Sequence, residues 1–111
     1  MIGVVTTIPV DPDRRAAAVN RITDLVEQSK REEGTVRYHA AEDLAEPNRI
    51  RFFELYEDED AAEAHTDAEA YRRVVEALPE FADGTITTRR FEVESVGVAE
   101  FTAADAVEAL D

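Results

Sequence analysis

Residues 35–57 read TVRYHAAEDLAEPNRIRFFELYE. Two runs rich in β-branched and aromatic residues, 35–42 and 49–57, flank the turn-forming segment EDLAEPN. That arrangement is the signal of an antiparallel hairpin with a longish loop. What lies on either side of the hairpin settles the architecture. Upstream, IGVVTTI (2–8) is short, β-branched and closed by Pro9, so it reads as a strand. Asp11-Pro12 supplies a helix cap and a first-turn proline, and Ala18, Ile22, Leu25 and Ser29 recur at helical spacing with Val19 and Val26 beside them. This helix is predicted to run to about Glu33 and stop at Gly34.

Downstream, Asp58 or Asp60 caps a short helix through His65. Thr66-x-x-Glu69 has the form of a capping box opening another helix, whose stripe is Tyr71, Val74, Val75 and Leu78 and which Pro79 ends or kinks. GTITTRRFEVESV (84–96) reads as the last and longest strand, with a bulge expected near Thr87–Arg89 because Ile86 and Phe91 differ in phase. Thr102-x-x-Asp105 opens a short amphipathic C-terminal helix carrying Val107 and Leu110. The order β-α-β-β-α-β predicts an α+β, ferredoxin-like split plan: one antiparallel sheet with helices on one face. Residues 1–97 form that domain and 98–111 a helical extension.

The strand 49–57 predicts something about the other face as well. Its even positions are Ile50, Phe52, Glu54 and Tyr56, yet its odd positions include Phe53 and Leu55. A sheet with one wet face alternates cleanly, and this one does not. A second copy of the chain joined sheet to sheet is the economical cover, which predicts a homodimer.

Across its 111 residues the chain carries 12 Lys and Arg against 26 Asp and Glu, a formal net charge of −14, and Lys30 is its only lysine. With 44% hydrophobic residues it is a folded domain with an acidic surface, not a disordered acidic tail. Such charge repels itself in dilute salt and is screened in molar salt, which favours a salt-adapted, halophilic cytoplasm over chance acidity. The negative field argues against nucleic acid and anionic membranes as partners. Without cysteine there is no disulfide, thiol nucleophile or Cys-based metal site. The N-terminus lacks the pattern of a signal peptide and no run reaches membrane-spanning length, so a cytoplasmic location is expected.

Few residues invite a chemical role. Glu54, between Phe52 and Tyr56 on one strand face, must be paired, protonated or wet. An ion pair with Arg37, Arg51, Arg89 or Arg90 is the first reading and a general base the second. His65 titrates near neutrality when unperturbed and shares a helix face with Ala61; it either moves a proton or ties down the helix end. Tyr38 and Tyr56 could bond a substrate oxygen or serve as core residues with one satisfied hydroxyl. His39 has no histidine at ligand spacing and reads as surface or interface. The carboxylates Glu57 to Asp60 lack the spacing of a calcium loop. No phosphate loop, nucleophile elbow or Cys/His set is present.

The stretch EEGTVRYHAAEDLAEPNRIRFFELYEDEDAAEAHTDAEAYRRV, within about residues 2–95, resembles the antibiotic biosynthesis monooxygenase family, which includes quinol monooxygenases of the YgiN type. Gly34, Tyr38, Pro47, Glu54, Tyr56, Asp58, Ala61 and His65 carry the resemblance. Tyr56 stands where the family usually has tryptophan, and the tail after Val98 extends past the usual end of the domain. The resemblance implies a dimeric α/β barrel and a pocket between sheet and helices. It implies oxidation of a hydroquinone or polycyclic phenol by oxygen without metal, flavin or haem. On that reading His65, Tyr56 and Glu54 are the catalytic candidates, and Tyr38, Phe52, Tyr71 and Phe81 line the substrate. Haem degradation, a related activity, needs an axial histidine where this chain has Val75. A non-catalytic binding or stress-response dimer and a histidine-dependent isomerase of a small metabolite remain as alternatives, since fold alone does not choose function.

Overall fold

The computed structural model describes residues 1–110. Strand β1 (Ile2–Pro9) leads through a 3-10 turn at Pro12–Arg14 into α1 (Arg15–Ser29), then β2 (Thr35–Glu42) and β3 (Arg49–Tyr56). Helices α2 (Glu59–Asp67) and α3 (Glu69–Phe81) follow, then β4 (Thr87–Glu92) and a terminal α4 (Ala103–Glu108). The sheet order is β2-β3-β1-β4 with every neighbouring pair antiparallel, the ferredoxin-like plan expected from the hairpin and its flanks.

Strand alternation divides the sheet into two unlike faces. Tyr38, Ala40, Ile50, Phe52, Glu54, Tyr56, Ile2 and Ile8 point at the helices and are buried or partly buried. Ala18, Ile22, Leu25 and Ser29 of α1 meet them at the expected spacing, and Ala70, Val74, Ala77 and Phe81 of α3 complete the core. The opposite face carries three rungs across the four strands: Arg37-Leu55-Gly3-Phe91, His39-Phe53-Val5-Arg89 and Ala41-Arg51-Thr7-Thr87. Here Phe53 and Phe91 remain about half exposed, at 46% and 48%.

Several local expectations are corrected. α1 stops at Ser29, and a run of tight turns carries the chain to Gly34, whose φ of 88° makes the reversal into β2. Asp58, not Asp60, caps α2, accepting from the Ala61 N–H at 2.8 Å. Thr66 caps nothing: its hydroxyl donates back to the Glu63 carbonyl, and α3 begins after an extended Ala68 with no side-chain cap. Pro79 sits inside α3, which runs on to Phe81.

β4 is not the longest strand but six residues, and its register on β1 runs unbroken from Thr87 to Glu92, without a bulge. Its partner sets its length. Pro9 has no N–H to continue the ladder at one end, and at the other the Val93 N–H donates to the Met1 carbonyl. The bulge lies instead in β2, between Thr35 and Arg37. α4 forms as expected, with a reciprocal capping box between Thr102 and Asp105.

Candidate active site

One imidazole lies at the centre of the only buried polar cluster among the described residues. His65, at 2% exposure, comes from the last turn of α2, held there by the Asp58 cap and the break at Ala68. Its Nδ1 lies 2.8 Å from Glu32 Oε1 and 3.5 Å from Ser29 Oγ. Its Nε2 lies 3.4 Å from the Tyr38 hydroxyl and 3.8 Å from Glu54 Oε1. Because a carboxylate accepts at Nδ1, that nitrogen carries the proton and Nε2 presents its lone pair inward. The chain has three tyrosines, and all three surround this ring: Tyr38 at 5.0 Å, Tyr71 at 5.4 Å and Tyr56 at 5.6 Å between centroids.

The sheet supplies the rest. Tyr38, Glu54, Val4 and Arg90 form one cross-strand rung on the helix side, so β2, β3 and β4 place a phenol, a carboxylate and a guanidinium in a row. Glu54 is not paired with arginine, contrary to the ion-pair expectation. Arg51 is taken by Asp43 at 2.6 Å, Arg90 by Glu59, and Arg37 donates to the Val36 carbonyl. Glu54 instead accepts from the Tyr56 hydroxyl across a short contact. Burial pushes its carboxyl above the usual range, opposed by the Tyr56 hydrogen bond and by His65. Burial likewise drives the phenols of Tyr38 and Tyr56 far upward, with the Glu54 charge adding to both. Both tyrosines therefore stay protonated and act as donors, not bases. The arrangement offers one proton acceptor, His65 Nε2, with two carboxylates and two fixed O–H donors around it.

Two cavities open beside the cluster. One of about 210 Å³ is lined by His65, Glu54, Tyr56, Tyr71, Thr66 and Arg90. The other, of about 130 Å³, is more apolar and includes Tyr38, Phe52, Tyr71, Val74, Val75 and Leu78. Thr6, Glu54, Tyr71 and Thr88 line both, so the two adjoin. The apolar stripe read on α3 is thereby corrected. Val74 enters the core while Val75 is 41% exposed, because that side of α3 walls a cavity. Val75 is where haem ligation would need histidine.

Of the predicted site residues, His65, Tyr56, Glu54, Tyr38 and Tyr71 converge, and Phe52 lies edge-on to Tyr38 at 6.2 Å. Phe81 does not join them: it is packed in the core at the far end of α3 and lines neither cavity. His39 is exposed on the open face, and among the described residues no group of three His, Cys, Asp or Glu is placed to hold a metal.

Sequence reading missed Glu32 and Ser29, the Nδ1 partners. A serine inside a buried stripe, followed by a glutamate two residues before a reversing glycine, was the available signal: the reversal folds the end of α1 beneath α2. Arg90 had been weighed only as a partner for Glu54. It lines the 210 Å³ cavity, bridged to Glu59 of α2.

The profile of the antibiotic biosynthesis monooxygenase family matches residues 1–77, from β1 into α3. The chain belongs to that family. All members of the polar cluster fall within the matched span. Solved structures share the fold. A conserved protein from Methanosarcina mazei is 23% identical over 81% of this chain and 89% of its own, with a TM-score of 0.77. The Rv0793 protein from Mycobacterium tuberculosis is 16% identical over 87% and 98%, with a TM-score of 0.81. A structure described as an antibiotic biosynthesis monooxygenase is 20% identical over 86% and 100%, at 0.79. No curated protein matches the sequence.

Proposed function

We propose that this protein is a cofactor-independent monooxygenase that oxidises a hydroquinone or fused-ring phenol with molecular oxygen, of the quinol-oxidising kind. The observation that carries the reading is His65, tied to Glu32 through Nδ1 and lining a cavity walled by tyrosines in a family of monooxygenases. A cavity of roughly 150 Å³ holds a benzene ring. The 210 Å³ space is therefore suited to one ring, and the adjoining 130 Å³, too small for a ring by itself, lengthens it toward α3.

In this mechanism Nε2 takes the phenolic proton while Glu32 balances the imidazolium charge. The phenolate transfers one electron to oxygen, and the resulting radicals combine at a ring carbon bearing hydrogen. The hydroperoxide then loses water to leave a carbonyl. One oxygen atom ends in the quinone and the other in water, with all four electrons drawn from the substrate. Tyr38 stays protonated and orients a ring oxygen, Tyr56 stays protonated and bonded to Glu54, and the apolar wall excludes water.

The test is oxygen uptake with a panel of hydroquinones and naphthols in molar KCl, against an anaerobic control. Uptake well above autoxidation, falling by about 10²-fold or more in His65→Ala, is expected. Uptake equal to the blank for every compound would remove the reading. It would leave a binding dimer, which the internal satisfaction of Glu54 by Tyr56 and of His65 by Glu32 favours as the second choice.

A further inference from the structure

A cavity of about 570 Å³ lies on the sheet face turned away from His65, and the proposed reaction makes no use of it. Its floor is the rung Arg51-Thr7-Thr87, with Arg89 one rung along β4 and Arg49 at the start of β3. The Asp83 N–H donates to the Pro9 carbonyl at 2.8 Å, which draws the segment before β4 against the end of β1 and brings Thr85 into the wall. Phe53 and Phe91 line no part of it. The open face thus divides into an aromatic half and a half made of guanidinium and hydroxyl groups.

Charge separates this cavity from the rest of the surface. Three arginines and three threonines meet a single carboxylate, Asp83, in a chain whose net charge is −14. A concave wall of one sign focuses its field and concentrates counter-ions. The groups also keep donors in reserve. Arg51 is held in place: Nε donates to Asp43 Oδ2 at 2.6 Å and Nη1 to Thr7 Oγ1 at 2.8 Å, while Asp43 is itself fixed by the N–H groups of Ala45 and Glu46. Its Nη2 has no partner among the described residues. The Thr7 hydroxyl, having accepted from Arg51, still has its own proton to donate. Arg89 has no carboxylate partner among the described residues, and Arg49 is bridged to Glu46 at 2.9 Å on an exposed flank.

These donors come from three adjacent strands: Arg51 from β3, Thr7 from β1, Thr87 and Arg89 from β4. A planar carboxylate is matched by one guanidinium fork, whereas a tetrahedral phosphate offers oxygens to donors arriving from several sides. We propose that this cavity binds a phosphate group, free or carried on a small molecule, seated over Thr7 and Thr87 between Arg51 and Arg89. The volume falls within the ~300–1,000 Å³ of small-molecule sites and leaves room for more than the anion. Asp83 opposes the ligand from the wall.

The test is an NMR titration of the ¹⁵N-labelled full chain with inorganic phosphate, with glycerol phosphate and acetate as parallel arms. About 0.3 M KCl screens diffuse attraction, and at about pH 7.5 a phosphomonoester is a dianion. Saturable shifts of amides in residues 49–51 and 83–89 are expected with both phosphates. Arg89→Gln should weaken binding by at least ~10-fold, and Asp83→Asn should tighten it. Both positions are exposed, and the unchanged remainder of each spectrum verifies the fold. Tighter binding of glycerol phosphate assigns a phosphomonoester as the ligand; equal affinity assigns free phosphate. No saturable shift with either phosphate up to about 20 mM would overturn the proposal. So would acetate binding as tightly as phosphate, or an affinity that Arg89→Gln leaves unchanged.

Discussion

His65 has partners at both ring nitrogens, and they are not equivalent. Glu32 accepts from Nδ1, while Nε2 meets a neutral phenol and a carboxylate whose ionisation burial opposes. Glu32 thus acts on chemistry through the imidazole as a positioning residue. Glu32→Ala is expected to lower kcat by about 10²-fold with little change in KM, and Glu32→Gln, which keeps an acceptor for Nδ1 but not the charge, to recover only part of it. Steady-state oxygen uptake checks this, and equal losses in both variants would mean that the carboxylate shape is not what matters.

Glu54 makes a prediction about pH. Its carboxyl is raised above the ordinary value of 4.5, so in the window between the two values the folded chain binds more protons than the unfolded one. The resulting stabilisation is full below pH 4.5 and is lost as pH rises through the raised value. Glu54→Gln cannot ionise and still accepts from Tyr56. Its melting temperature relative to wild type should therefore climb between about pH 4 and pH 8. A difference that falls over that range would show that the ionised carboxylate is net stabilising.

The site depends on one close approach between elements, the packing of the first turn of α2 on the reversal before β2. Gly34 adopts a left-handed φ of 88°, and a Cβ placed there would lie 2.7 Å from the Ala61 Cβ. Gly34→Ala is expected to cost about 2–3 kcal/mol, part from backbone strain and part from pushing α2, and hence His65, away from Glu32. Adding Ala61→Gly relieves only the contact, so urea melts of the double variant should recover part of the loss. Full recovery would mean that the backbone carries no strain.

At this scale most of the fold was legible. The hairpin, the Ala18-Ile22-Leu25-Ser29 stripe and the Thr102 cap depend on local spacing, and the structure keeps them. What was not legible depended on distant partners. The end of the β4 ladder depends on Pro9 in its partner strand, and the exposure of Val75 on a cavity. The failed cap at Thr66 depends on a competing carbonyl at Glu63 that serves the hydroxyl equally well. The same division holds in the site. His65, Glu54 and the tyrosines stood out as polar groups in apolar runs, whereas Glu32 looked like one more surface carboxylate until Gly34 folded it back.

Over the whole molecule, charge is the dominant long-range term. Exposed ion pairs such as Arg15–Glu42, Arg21–Glu80 and Arg49–Glu46 are each worth little, and they stand against a net charge of −14 on 111 residues. At ~0.01 M salt the Debye length, about 30 Å, spans most of the protein; at ~1 M it is about 3 Å and the repulsion is confined to neighbours. If repulsion outweighs the ion pairs, salt stabilises. The melting temperature should rise by roughly 5–10 °C between ~0.05 M and ~1 M KCl, equivalent to about 1–2 kcal/mol for a domain of this size. Screening is largely complete by about 0.3 M, where the Debye length is already shorter than most charge separations. Most of the rise should therefore come below that concentration, with only the weaker, near-linear effect of salt on apolar burial continuing above it. A scanning calorimetry series in KCl separates the two parts. A curve that is flat or falling below about 0.3 M would mean that local ion pairs, not the net field, govern the stability of the acidic surface.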